Sequence, residues 1–329
     1  MPSSIPSCDP SAPLYAAVEL GSDSFRLHVA SWENGALAVA ASLNEPIRLG
    51  AGIGPDGRLD GQTVRRALAC LRQFKQALAV WEVRAVRVVA TAALRVACNA
   101  PAFLPAAESA IGHPVEVLGA EEEGRLVYLG VAGVLGDEQE RRLVLDVGSG
   151  STGIALGRGD TVERVQSYGV GALRQGLAFF GDGITPAAFE AALASSRSRF
   201  ADAAMLAGFG GWRRAYGASG TVRALFELAG AQAGGTPGGG CGASAAGLLA
   251  LRRSLVEEGG LMQVAALSNA PARAAQMAGG LALLLALVEI LGVEELVPVG
   301  AGLRAGVIRE LARHAGQPAA VRAPYPECA

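Results

Sequence analysis

The chain has 329 residues, of which 51% are hydrophobic and 18% charged, with 45 glycines and a net charge of −2. Such a composition buries a sizeable core, excludes wholesale disorder and, at this length, predicts two domains. The charge balance leaves no basic footprint for nucleic acid, and His28, His113 and His314 are too scattered for a His-rich zinc site or a Ser-His-Asp triad.

Residues 1–14 are rich in Pro and Ser, lack the basic and apolar regions of a signal peptide, and read as a flexible tail. An apolar strand at 15–20 follows, then a turn of small residues, Gly21-Ser22-Asp23-Ser24. A strand at 25–31, a Glu-Asn-Gly turn at 33–35 and a strand at 36–43 complete the pattern. Residues 62–79 place Val64, Leu68, Leu71, Phe74 and Leu78 at helical spacing, so one face is buried. Buried strands are expected at 85–90 and 115–118, a helix at 121–131, and a domain boundary near 133–140. The opening pattern then recurs as strand 142–147, turn Gly148-Ser149-Gly150-Ser151, strand 152–156, a turn at 157–160 and strand 161–167.

Helices are expected at 187–206, 221–228, 245–257, 273–291 and 303–314, with a strand at 295–299. The apolar run 281–293 contains Glu289 and Gly292 and is too short to span a bilayer, so it reads as a buried helix and no membrane partner is expected. The Gly-rich stretch 234–242 reads as a linker or lid, and residues 317–329 as a flexible tail. Five cysteines form no CxxC pair and read as reduced thiols of a cytoplasmic protein. The repeat predicts two similar α/β domains, 15–135 and 136–316, with the last helix able to pack back on the first.

The chemistry concentrates at the ends of these strands. Glu19 precedes the first small-residue turn, an arrangement that sets a carboxylate beside backbone N–H groups able to bind phosphate; the alternative is an ordinary polar hairpin. Asp146 precedes the second turn. Two such turns facing across a cleft would hold one polyanion and a Mg²⁺ between two carboxylates, and the alternative is two hairpins without a ligand. Ser219-Gly220-Thr221 leads from a strand into a helix whose N–H groups suit an anion, or Ser219 is simply the helix cap. Arg95 follows a strand's carboxyl end, where a guanidinium grips phosphate in two-pronged fashion or else forms a surface ion pair. Glu121-Glu122-Glu123 complements a helix dipole, or one of these carboxylates turns inward as a general base.

These motifs, in this order, resemble the exopolyphosphatase and guanosine pentaphosphate phosphatase family, in a short two-domain form. Residues 18–27 are similar to D-L-G-S-N-S-F-R-L, and residues 47–50 and 91–95 match the next two signatures. Residues 119–129 resemble S-G-x-E-E-A-R-L-x-x-x-G, 145–152 resemble D-I-G-G-G-S-T, 217–221 match G-x-S-G-T, and Gly302-Leu303-Arg304 matches G-L-R. The resemblance implies an α/β fold of duplicated ribonuclease H-like domains, as in the actin/Hsp70/sugar-kinase superfamily, facing across a cleft. It implies release of a terminal phosphate from polyphosphate or from guanosine pentaphosphate, with Mg²⁺ or alternatively Mn²⁺, and it suggests a homodimer. By motif, Glu123 would orient the attacking water, with Glu122 as the fallback, and Arg95 would grip the phosphoryl group. Glu19 and Asp146 would hold the metal. Ser22, Ser24, Arg26, Gly148, Gly150, Ser151, Ser219, Gly220 and Thr221 would line the phosphate track.

Five positions depart from the pattern. Glu19 and Asp23 stand where the family has Asp and Asn, Ser149 replaces a glycine, and Ala275 and Ala305 replace an Asp and a Glu. The longer Glu19 disturbs octahedral Mg²⁺ geometry, and Asp23 adds negative charge where a phosphate would sit. A weakly active or non-catalytic protein that binds polyphosphate or a guanosine nucleotide is therefore the alternative reading. A sugar or acid kinase, resting on Val299-Gly300-Ala301-Gly302, leaves the glutamate run without a purpose.

Overall fold

A computed structural model of the protein describes residues 12–33, 35–136, 139–212, 214–232, 243–257 and 271–315. The Gly-rich stretch 234–242, the tail 317–329 and most of the tail 1–14 lie outside them. The chain divides into two units, Met1–Gly136 with Leu303–Ala329, and Asp137–Gly302.

In the first unit the chain order is β1 (Leu14–Leu20), β2 (Phe25–Glu33), β3 (Ala36–Glu45), α1 (Gly61–Leu78), β4 (Val83–Ala90), α2 (Ala92–Val96), α3 (Ala100–Ile111), β5 (Val115–Val117) and α4 (Ala120–Leu135). The sheet runs β3-β2-β1-β4-β5, antiparallel from β3 to β1 and parallel from β1 to β5. Residues 15–18 of β1 are all buried, as a strand covered on both faces requires. Cys70, Leu71, Phe74 and Leu78 of α1 pack into the same core as Leu20 and Phe25. Asp60 caps α1 by accepting from the Gln62 and Thr63 amides.

The second unit begins with β6 (Arg141–Val147), β7 (Thr152–Arg158), β8 (Thr161–Tyr168), α5 (Ala172–Phe179), α6 (Pro186–Arg199) and α7 (Ala204–Ala207). It continues through β9 (Ala215–Gly217), α8 (Gly220–Gln232), β10 (Ala243–Ser244), α9 (Ala245–Glu257), α10 (Pro271–Ile290) and β11 (Glu295–Pro298). Its sheet runs β10-β11-β9-β6-β7-β8. Read from β8, that is an antiparallel three-strand meander followed by two parallel strands, the order of the first unit with one added edge strand. Helix α10 is long and apolar enough to cross a membrane, but 78% of its 18-residue apolar window is buried in this unit. Leu281 to Leu284 and their neighbours make it the spine of the core.

Three differences from the sequence reading have physical causes. The helix expected at 187–206 stops at Arg199, because Phe200 turns into the core and packs edge-on against Tyr168. Helix α3 carries Pro101 in its first turn and Pro105 inside it, so its proline content concealed it. The second unit ends at Gly302 rather than at 316, because the last described helix, α11 (Leu303–Arg313), belongs to the first unit, the packing-back that the sequence reading allowed for. Gly306 seats that helix on α4: a Cβ there would lie 1.9 Å from the Leu126 carbonyl oxygen. Farther along α11, Arg309 donates to the Leu129 carbonyl at 3.0 Å and stacks over Trp32. Glu310 accepts from Arg87 and Arg125.

Candidate active site

Each sheet ends its parallel strands along one edge, the edge at which open α/β sheets take ligands. In the first unit Leu20 of β1, Ala90 of β4 and Val117 of β5 stand in register there. In the second, Leu145 of β6, Gly217 of β9 and Pro298 of β11 do the same.

The two small-residue turns are built alike. Gly21 N–H donates to the Ser24 carbonyl at 3.2 Å, and Gly148 N–H to that of Ser151 at 2.9 Å. An added Cβ at Gly21 or Gly148 would meet that carbonyl at 2.8 or 3.0 Å, which explains glycine at both positions. Each turn is braced through its own carbonyls. Those of Ser22 and Asp23 accept from the amides of Gly50 (2.7 Å) and Arg48 (2.6 Å). Those of Gly148 and Ser149 accept from Ala172 and Leu173, in the first turn of α5 (2.9 and 3.1 Å). Arg48 reaches its bond with φ at 56°, a left-handed conformation unusual for arginine. With carbonyls turned to the braces, the amide side of each turn suits an anion.

In the first unit, Glu123 stands in the first turn of α4 and α2 carries Arg95. Arg95 Nη1 donates to the Leu118 carbonyl at 3.0 Å and to Glu123 at 2.5 Å. Burial raises the Glu123 carboxyl above its ordinary value; Arg95 opposes this and the nearby charge of Glu19 adds to it. Glu19, one residue before the end of β1, pairs with Arg304 of α11 and lies 4.0 Å from Arg26. Arg26 also donates to Asn44 at 3.0 Å, and Ser22 and Ser24 are buried in the turn. Glu19, Arg26, Arg95 and Glu123 therefore belong to one constellation.

Glu122 is turned elsewhere. It accepts a two-pronged grip from Arg125 at 2.6 and 2.7 Å, in a network with Arg87, Glu116 and Glu310. Burial raises the Glu310 carboxyl, but Arg125 and Arg87 more than offset it, leaving it below the usual value.

In the second unit Asp146 pairs in register with Gly153 across β6 and β7, and Gly148, Gly150 and Ser151 form the turn that follows. Ser219 donates to the Val147 carbonyl at 2.8 Å and accepts from the Val222 amide at 3.0 Å. Its hydroxyl is thus the cap of α8 and a strut to β6, with Gly220 and Thr221 opening the helix. The buried Thr221 methyl faces Gly280 of α10. The Ser149 hydroxyl accepts from Gln276 at 3.0 Å, which takes the added side chain to α10.

The model of the Ppx/GppA phosphatase family matches residues 28–315. The chain belongs to this family. The guanosine-5′-triphosphate,3′-diphosphate pyrophosphatase of Aeromonas hydrophila is 35% identical over 298 residues, covering 90% of this chain and 59% of the relative. The chain therefore spans about three fifths of that relative's length. A crystal structure of the Aquifex aeolicus Ppx/GppA family member superimposes with a TM-score of 0.76 at 25% identity, covering 92% of this chain and 98% of that one. An exopolyphosphatase from Cytophaga hutchinsonii shares the fold with a TM-score of 0.81 at 18% identity, covering 91% and 98%. The fold is the two-domain α/β fold of the actin/Hsp70/sugar-kinase type.

Mg²⁺, which the family resemblance implies, meets a poor donor set in the first unit. Glu19 and Glu123 each already hold a guanidinium. Among the described residues no three His, Cys, Asp or Glu side chains cluster to hold a metal ion. Sequence reasoning gave no role to Arg304 or to the brace at 48–50. Their match to family signatures was the signal available, since neither helical nor strand periodicity marks such residues.

Proposed function

We propose that this protein is a phosphohydrolase that releases the terminal phosphate of a linear phosphate anhydride, with guanosine pentaphosphate and inorganic polyphosphate as the candidate substrates. The observation that carries the reading is the Arg95–Glu123 pair at the carboxyl edge of the first sheet, beside the turn 21–24. Both Arg95 bonds use Nη1. Its Nε and Nη2 donors, which have no partner among the described residues, match two oxygens of a phosphoryl group. A glutamate with a raised proton affinity is a stronger base than an ordinary one. Glu123 takes a proton from water as the water oxygen attacks the terminal phosphorus. The anhydride P–O bond breaks, and the leaving phosphate oxygen keeps the electron pair. Arg95 stabilises the charge that gathers on the transferring group, which is most of what phosphoryl transfer asks of a protein.

The relative from Aeromonas hydrophila bears the name of a pyrophosphatase acting on guanosine-5′-triphosphate,3′-diphosphate, which favours the nucleotide as substrate. The second reading, a binding protein with little turnover, is favoured by the direct hold of Arg95 on Glu123, which masks the base until substrate draws the guanidinium away. Phosphate release from guanosine pentaphosphate, long-chain polyphosphate and a monophosphate control tests both readings. Release from either anhydride but not from the monophosphate supports the hydrolase. Saturable binding of an anhydride without release supports the binding protein.

A further inference from the structure

We propose that Arg304 is the built-in counter-cation of Glu19, a positioning residue that keeps this carboxylate out of metal coordination and offsets its charge beside the turn 21–24 without a divalent ion. The inference rests on reading the turn 21–24 as a phosphate site, and it concerns what holds Glu19 there.

Three observations carry it. The Glu19–Arg304 pair is only 14% and 17% exposed at its two side chains, so solvent screens it weakly. The Glu19 side chain folds back over its own turn, with Oε1 only 3.3 Å from where a Gly21 Cβ would be, while Oε2 accepts from Arg304. And Arg304 has a fixed base: Gly306 seats α11 against Leu126, Arg309 holds the Leu129 carbonyl, and Glu310 joins Arg87 and Arg125. These anchors recur at three- and four-residue spacing, on the face that α11 turns to α4.

A Mg²⁺ ion demands near-ideal octahedral oxygen geometry and binds through carboxylates whose lone pairs are open to it. A guanidinium on Oε2 removes half of that capacity and repels the cation. Glu19 and Glu123 face Arg26, Arg95 and Arg304, so three guanidinium groups offset these two carboxylates and that of Asp23 in the turn without a divalent ion. The extra methylene of Glu19, relative to the aspartate of the family pattern, thus serves the reach to Arg304.

The test uses the full chain with Mn²⁺ alone as probe, its binding followed by electron paramagnetic resonance or calorimetry. Glu19→Gln should bind Mn²⁺ within about twofold of the native protein, because Glu19 is not a ligand. Arg304→Gln should bind it roughly tenfold more tightly by releasing Glu19, and adding Glu19→Gln should erase that gain. Arg304→Lys, which keeps the charge, should stay near the native value; a merely structural Arg304 would not produce this pattern. A tenfold loss in Glu19→Gln, or no gain in a folded Arg304→Gln, overturns the proposal. Should Arg304→Gln not fold, the Glu19→Gln result decides alone. Phosphate release assayed on the same samples reports on the hydrolase reading separately, since the Mn²⁺ comparison stands whether or not the chain turns substrate over.

Discussion

Replacing Gly306 by alanine tests whether α11 completes the site. The new Cβ would stand 1.9 Å from the Leu126 carbonyl oxygen and 2.7 Å from its carbon. Non-bonded atoms settle near about 3.5 Å, so α11 must retreat by roughly 1.5 Å. The obstacle is helix backbone and cannot rotate aside as a side chain would. Overpacking of this kind costs about 1–3 kcal/mol, and the better helix propensity of alanine returns up to about 1 kcal/mol. A net loss of about 1–2 kcal/mol corresponds to a fall in Tm of roughly 2–8 °C for a unit of this size. The retreat also draws Arg304, half a turn earlier, away from Glu19. Thermal and urea unfolding should show the loss, and phosphate release should fall with it. An unchanged or raised Tm with full activity would refute the docking of α11 on α4.

Two further outcomes follow from the same unit. Glu310→Gln should destabilise the protein by about 1–3 kcal/mol at pH 7, as expected for breaking a partly buried ionic network. Because the folded Glu310 carboxyl lies below its ordinary value, its contribution is complete above about pH 5 and disappears as pH falls through the lowered folded value. Urea unfolding from pH 7 to pH 3 should show the native and variant curves converging; a constant gap would exclude the ionic account. Arg95→Ala should raise KM and lower kcat together, with Arg95→Lys recovering only part of the loss, since an ammonium cannot match two phosphoryl oxygens in a plane. Steady-state kinetics checks this, and an Arg95→Ala enzyme with native constants would reduce Arg95 to a surface charge.

The sequence exposed most of the strand framework because the two meanders repeat the same local pattern: a buried run, a turn of small residues and a second strand. Residues 20–25 and 147–152 each close on a bond within six residues, which is why both turns were legible, whereas their braces at 48–50 and 172–173 were not. Helix α3 was hidden by Pro101 and Pro105, and the end of α6 by Phe200, whose partner Tyr168 lies 32 positions earlier. The glutamate run was half legible. The motif makes Glu122 the fallback base although its pairing with Arg125, three residues on, suits a helical ion pair, and the inward turn of Glu123 depends on Arg95, 28 positions away. The Glu19–Arg304 pair joins residues 285 positions apart, and no local pattern reports such a contact.

In the proposed reaction Glu123 activates the water that cleaves the terminal phosphoanhydride. The most direct test of this step is single-turnover phosphate release by the native chain and by Glu123→Gln, at a substrate concentration that saturates both, with binding measured in parallel. Loss of a general base lowers the rate by about 10²–10⁴, and the amide keeps the shape, so binding should change little. The native rate should also decline on the acid side above the usual glutamate range, in line with the raised Glu123 carboxyl. A Glu123→Gln protein that releases phosphate at more than half the native rate would contradict the account.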